Sequence, residues 1–228
     1  ELKSKDAIKK LDYVFEATKL IKANINVPLI GFTGSPWTLF VYLFYGESPK
    51  NRNEIQDYLK LNSSKTHSYL KAMTEVMHDY VHEQIQSGAD CIQIFDSWGG
   101  MLDSEYEEFS LMYINELAEN IPANIPVILF TRGKKIDSII ESTNIDCFNL
   151  DISDNIDHHI DKSIVIQGNF DPSKFHSDAD KLEQLATQIF EKYKNKNNYI
   201  FNLGSGLTPD IDPEKVGIFL EKLSSLSS

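Results

Sequence analysis

Arginine is nearly missing from this 228-residue chain: of its 22 basic residues only Arg52 and Arg132 carry a guanidinium. A site that grips carboxylates through bidentate guanidinium forks can therefore draw little from this sequence. Cysteine is equally scarce, with Cys91 and Cys147 at the starts of apolar runs and no spacing motif between them. That usage excludes a disulfide scaffold and fits small core residues in a reducing compartment. No apolar run approaches the roughly 20 residues of a membrane helix, and no basic segment followed by an apolar one opens the chain. A cytoplasmic protein is the expectation. The formal charge of −12 argues against nucleic acid as a partner, because phosphate binding needs a lysine and arginine footprint. Also missing are H-E-x-x-H, G-x-S-x-G, a C-x-x-C pair and a P-loop, which removes the protease, hydrolase-elbow, thioredoxin-like and nucleoside-triphosphate readings. With no linker, low-complexity stretch or break in composition, residues 1–228 read as one domain.

What the chain does have is a repeated shape. Six short apolar runs, at 28–32, 91–95, 127–130, 147–150, 164–166 and 199–203, each end in a polar or glycine-bearing turn. Thr33, Ser97, Arg132, Asp151, Asn169 and Asn202 stand near their carboxyl ends, which is how a parallel α/β sheet presents chemistry. Helical periodicity fills the intervals. It predicts helices over 5–24, from Pro36 to near Gly46 with Ser35 as N-cap, over 63–87, 104–120, 135–142 and 178–194, and a last one opened by Asp212, Pro213 and Glu214. The stretch 153–162 allows only a brief turn.

Strictly alternating strand and helix predicts right-handed βαβ units around a parallel sheet. An open doubly wound sheet would want a glycine-rich phosphate loop after its first strand, and Gly31 to Trp37 has neither that fingerprint nor a Walker lysine. A (β/α)8 TIM-barrel fits better, although six strands fall short of eight, so the barrel is expected to be incomplete at its amino-terminal end.

Residue by residue the polar signals are modest. Tyr42 on an apolar helix face reads as a core tyrosine, and Asp96-Ser97-Trp98 reads equally as a turn with a helix cap. Asp96 and Asp151 end different strands, so acid–base work by a carboxylate pair stays open. His78 and His82 have i, i+4 spacing but lack a third ligand, and the adjacent His158 and His159 are expected at the surface.

Four ordered motifs together resemble the uroporphyrinogen decarboxylase family. They are Pro28-Leu-Ile-Gly-Phe with Gly34-Ser-Pro-Trp-Thr38, Gln93 to Gly100 (QIFDSWGG), Gln167-Gly-Asn-Phe-Asp-Pro172, and Phe201-Asn-Leu-Gly204 with Asp212-Pro-Glu214. The resemblance covers nearly the whole chain. It implies a (β/α)8 barrel, usually a homodimer, that converts uroporphyrinogen to coproporphyrinogen by removing carboxyl groups from four acetate side chains, without metal or organic cofactor. It implies substrate contacts at Tyr42 and Ser97. At Ser205 this chain departs from the family's histidine in Asn-Leu-Gly-His-Gly, keeping a hydroxyl but losing reach and the ability to become cationic. The family's arginine segment and its catalytic aspartate belong to an amino-terminal portion with no counterpart here, so no catalytic residue is assigned in this chain and the chain alone is expected to be inactive. Two other readings remain. One is a zinc-dependent corrinoid methyltransferase of the same superfamily, whose His-x-Cys and Cys ligands have no match in Leu150-Asp-Ile-Ser153 or Leu203-Gly-Ser-Gly206. The other is a degenerate, non-catalytic tetrapyrrole-binding barrel.

Overall fold

The structure, a computed structural model, describes residues 4–49, 51–160 and 162–227, with side chains from residue 7 onward. Asp161, within the turn expected over 153–162, lies outside the described residues. The fold is α/β, and its described residues group into two compact units that meet in sequence between Phe148 and Asn149.

In the first unit, helices α1 (Ser4–Lys9) and α2 (Asp12–Asn24) precede strand β1 (Ile30–Gly34). The periodicity read as one helix over 5–24 is interrupted by a turn at residues 10 and 11. Strand β1 starts two residues later than the apolar run. Pro28 has no N–H to give a ladder, and the Leu29 N–H is taken instead by the Asp90 carboxylate at 2.6 Å. Helix α3 (Pro36–Tyr45) follows. Ser35 Oγ accepts from Thr38 N at 2.9 Å, and Gly46, at φ 70°, closes the other end by donating to the Tyr42 carbonyl. Helix α4 (Asn53–Gln86) runs ten residues further toward the amino terminus than its apolar pattern, carried through a non-helical Asn62 whose side chain bonds the Tyr58 carbonyl.

Strands β2 (Cys91–Asp96) and β3 (Val127–Thr131) complete this unit's sheet, and both pairings are parallel: Ile30 lies opposite Cys91, and Asp96 opposite Thr131. Between them, residues 107–111 form a π-helical turn that runs into α5 (Met112–Glu119). The helix expected over 135–142 is two 3₁₀ turns. The flank of β1 away from β2 is met by Gln84. Its Nε2 donates to the Phe32 carbonyl and its Oε1 accepts from Phe32 N–H, both at 3.0 Å, as a neighbouring strand would. Gly31 makes room for this clasp, since a Cβ there would stand 3.0 Å from Gln84 Oε1 and 2.9 Å from Ile92.

Strand β4 (Cys147–Asn149) crosses into the second unit, which holds β5 (Val165–Gln167), α6 (Ala179–Tyr193), β6 (Tyr199–Ile200) and α7 (Pro213–Ser227). Strands β5 and β6 pair in parallel. Asp178 caps α6 and Asp212 caps the start of α7, as their positions before the helices predict. Leu182 and Ala186 of α6 and Phe219 of α7 are fully buried with Phe175 and Ile211, and the rings of Phe170 and Phe201 pack on Phe219. Across the described residues there are six strands rather than eight. His159 corrects the surface expectation for the two adjacent histidines: it is 3% exposed, because the 3₁₀ turn Ile156–His158 sets it between the buried Ile156 and Ile160.

Candidate functional site at the strand ends

In the first unit the carboxyl ends of β1 and β2 bring two predicted residues together. Tyr42 lies on α3, 42% exposed, and meets Trp98 edge-on at 6.1 Å between ring centroids. Trp98 directly follows Ser97, which is partly exposed on the turn after β2. Neither the Tyr42 nor the Ser97 hydroxyl has a hydrogen-bond partner among the described residues, so both can serve a ligand. Ser97, on the turn just beyond the strand, stays partly exposed, while Asp96 at the strand's end points toward α3 and is completely buried.

Strand pairing builds a feature that sequence reasoning missed. Phe95 lies opposite Phe130 in register, and the Phe32 ring stands beside Phe95, with centroid separations of 5.8 Å and 6.1 Å. Phe32 is 59% exposed. Three aromatic rings from three neighbouring strands thus form a stepped apolar floor, and the turns beyond their strands carry Ser97 and Arg132. The sequence signal was a Phe at the same place in three successive runs, but only the register places them side by side. The backbone of these turns is tied: Ser35 N–H donates to the Phe95 carbonyl at 2.8 Å, Arg132 N–H to the Asp96 carbonyl at 3.2 Å, and Gly100 N–H to the Arg132 carbonyl at 3.0 Å.

The remaining strand-end residues divide between structure and chemistry. Asp96 and Asp151 are each committed to bonds within their own unit. Asp96 Oδ1 accepts from Ser35 Oγ at 2.6 Å in the interior, while Asp151 Oδ1 closes a turn by accepting from Ser153 N. Burial pushes the Asp96 carboxyl above the usual range against the opposing effect of its neighbouring hydroxyls. The Cys147 thiol is pushed up to about 12, chiefly by burial, and Cys91 is raised for the same reason, so neither is a ready thiolate. His78 Nε2 sits 3.3 Å from the Glu116 carbonyl. With His82 it lines a 570 Å³ cleft toward the amino ends of β2 and β3, away from the strand-end turns. Among the described residues no group of three His, Cys, Asp or Glu is arranged to hold a metal ion.

Ser205 belongs to the second unit, partly exposed on the loop after β6. That loop is held by its neighbours. Phe170 N–H donates to the Asn202 carbonyl and Gly204 N–H to the Phe170 carbonyl, both at 3.0 Å. Gly204 lies so close to Ile152 that a Cβ would come within 2.7 Å of its backbone nitrogen. Beneath it, Asn149 Oδ1 accepts from Gln167 Nε2 at 2.6 Å and from Asn202 Nδ2 at 2.8 Å, an amide ladder across the ends of three strands.

Residues 1–226 match the family model described as uroporphyrinogen decarboxylase (URO-D). The chain is 38% identical over 238 aligned positions to a uroporphyrinogen decarboxylase of Francisella tularensis subsp. novicida, covering all of this chain and 69% of that protein. A protein of the same name from Hydrogenovibrio crunogenus is 37% identical, over 97% of this chain and 66% of its own length. Among solved structures, a methyltransferase from Methanosarcina mazei superposes with a TM-score of 0.73 at 20% identity, covering 96% of this chain and 65% of that one. A B12-independent methionine synthase from a Shewanella species gives 0.64 at 12% identity. Those two likenesses describe the fold; the chain spans about two thirds of the length of the relatives it matches.

Proposed function

Because this chain belongs to the uroporphyrinogen decarboxylase family, we propose that it forms the substrate-holding two thirds of a carboxy-lyase that converts uroporphyrinogen to coproporphyrinogen in tetrapyrrole biosynthesis. In each of the four steps a side-chain CH2–CO2⁻ bond breaks, CO2 leaves, and the methylene carbon takes a proton to become a methyl group. The observation that carries the reading is the family match over residues 1–226, and the geometry of the first unit fits it. A tetrapyrrole is an apolar, π-rich body rimmed by carboxylates. The floor of Phe32, Phe95 and Phe130 suits the body, and the Tyr42 and Ser97 hydroxyls suit the rim. Ser205 is assigned a third carboxylate contact, weaker than the histidine it replaces because it cannot add a positive charge.

These residues bind and orient. The electron sink for the breaking bond is a protonated pyrrole, and a carboxylate facing the pyrrole N–H groups would stabilise it. Asp96 cannot fill that role, being enclosed among helix-facing side chains. We therefore assign the catalytic carboxylate, and the main cationic clamp, to a segment outside residues 1–228. The fold we propose is one (β/α)8 barrel domain lacking its amino-terminal strands in this chain, working as a cytoplasmic homodimer without a metal.

The test is titration of the purified chain with uroporphyrin, the air-stable octacarboxylate, followed by quenching of tryptophan fluorescence. Saturable binding is expected, with Tyr42→Phe and Ser97→Ala each weakening it about tenfold, the lower end for one charge-assisted hydrogen bond. Absence of saturable binding would refute the reading. Formation of coproporphyrinogen by the isolated chain would overturn the assignment of the catalytic carboxylate. Binding without turnover after the missing segment is supplied would favour the degenerate, non-catalytic barrel.

A further inference from the structure

We propose that Asp96 is a positioning residue that holds the helix of Tyr42 and the turn of Ser97 in one fixed relation, an inference resting on the assignment of those two hydroxyls to substrate. Asp96 ends β2 with its side chain wholly buried, opposite a Thr131 that is 1% exposed. Its Oδ1 reaches the first turn of α3, accepting from Ser35 Oγ at 2.6 Å and, at the long limit, from Thr38 Oγ1 at 3.4 Å. Ser35 Oγ also accepts the Thr38 N–H, so the carboxylate grips the N-cap itself. Thr38 and Tyr42 are four residues apart and lie on the same face of α3. What fixes Thr38 therefore fixes the face that carries Tyr42.

The chain that follows Asp96 is tied to the same helix. Trp98 N–H donates to Thr38 Oγ1 at 3.4 Å, Trp37 Nε1 donates to the Trp98 carbonyl at 2.9 Å, and the Trp98 ring closes on Tyr42. Ser97 sits between the carboxylate and this tryptophan. Removing Asp96 would leave a serine cap, a threonine and two backbone ties with no common centre.

Stability alone gives no reason for an ionisable group here. The Asp96 carboxyl is wholly enclosed, with the Ser110 and Tyr106 hydroxyls, also enclosed, as its neighbours on the side away from Ser35. A buried carboxyl is costly compared with an apolar side chain of similar size, even with hydroxyls beside it. Gly99 is also committed to it, since a methyl group there would overlap Oδ2 and press the Tyr106 ring. The second oxygen, the glycine and the two hydroxyls together occupy volume that an apolar core would fill more cheaply.

The experiment uses the 228-residue chain and uroporphyrin. Its two tryptophans, Trp37 and Trp98, both lie in this cluster, so acrylamide quenching of their emission reads the cluster even without ligand. Asp96→Ala is expected to keep its far-ultraviolet circular dichroism, raise tryptophan quenching about twofold and weaken uroporphyrin binding at least tenfold. Asp96→Asn, which keeps an acceptor for Ser35, is expected to rescue both to within threefold of wild type. In a double-mutant cycle the losses from Asp96→Ala and Tyr42→Phe should fail to multiply, because Tyr42 is already displaced. Independent losses from the two mutations, or an Asp96→Ala chain that binds and quenches like wild type, would overturn the proposal. If Asp96→Ala fails to fold, Thr38→Val replaces it in the same cycle with the same criteria. If wild type does not bind uroporphyrin, the functional reading falls, and unchanged quenching in Asp96→Ala would by itself refute the positioning role.

Discussion

The clasp of Gln84 on Phe32 can be tested quantitatively. Gln84→Leu keeps much of the side-chain volume at a position 3% exposed and deletes both 3.0 Å hydrogen bonds to the β1 backbone. Each neutral hydrogen bond contributes about 0.5–1.5 kcal/mol net, giving about 1–3 kcal/mol for the pair. Both bonds are only part-buried, so the lower half, about 1–2 kcal/mol, is expected. Gln84→Glu adds a sign to the test. One oxygen still accepts from Phe32 N–H, but the other now faces the Phe32 carbonyl, where only a protonated carboxyl can donate. Burial and that carbonyl both favour the neutral form, raising the folded pKa above the unfolded value of about 4.3. A raised folded pKa contributes stability that is fully present below the unfolded value and is lost as pH rises through the folded one. The variant should therefore match wild type near pH 4 and fall behind it as pH climbs toward neutrality. The assay is urea unfolding followed by tryptophan emission, which reports on the first unit, with both chains compared at each pH. A loss below 0.5 kcal/mol for Gln84→Leu at unchanged denaturant slope, or a Gln84→Glu chain that tracks wild type from pH 4 to 8, would refute the clasp.

Two further outcomes are expected. The Asp90 carboxyl is held below the usual range by Lys22, 2.6 Å away, and by the Leu29 N–H, so its contribution is present above the unfolded carboxylate pKa and vanishes as pH falls through the folded one. Asp90→Asn should cost about 0.5–1 kcal/mol at pH 7, small because the pair is exposed, and nothing near pH 2; an equal loss at both would contradict the linkage. Leu182→Ala, at a fully buried position between α6 and α7, should cost about 2–5 kcal/mol in the second unit, seen as faster amide hydrogen exchange in those helices. Unchanged exchange protection there would show that Leu182 does not anchor the helix pair.

Local signals were legible in the chain and non-local ones were not. Ser35 with Pro36, Gly46, Asp178, and Asp212 with Pro213 marked helix ends correctly because a cap depends on residues within one turn of itself. The first ten residues of α4 were missed because Asn53 to Asn62 is rich in polar residues and is helical through packing of Ile55 and Leu59 rather than through a clear stripe. Six strands could be counted from apolar runs, but the direction of each strand-end side chain could not. Ser97 was assigned to substrate and Asp96 left open as half of a carboxylate pair; the structure makes Asp96 a buried tie and leaves Ser97 partly exposed on the turn. The Phe32–Phe95–Phe130 floor and the Gln84 clasp have the same character: each joins residues that only strand pairing or helix packing brings together. His159 failed as a surface residue because a polar sequence around a 3₁₀ turn hides which way the turn faces.

The amide ladder of Asn149, Gln167 and Asn202 has a consequence for working conditions. The surface of this chain is strongly acidic, with a sequence pI near 4.9, so its charge collapses within the mildly acidic range and its surface ion pairs weaken in salt. The hydrogen bonds under the Ser205 loop join neutral amides, with no proton to gain or lose between weak acid and weak base and little for salt to screen. Acidification and high salt should therefore leave this loop in register while the charged exterior changes around it.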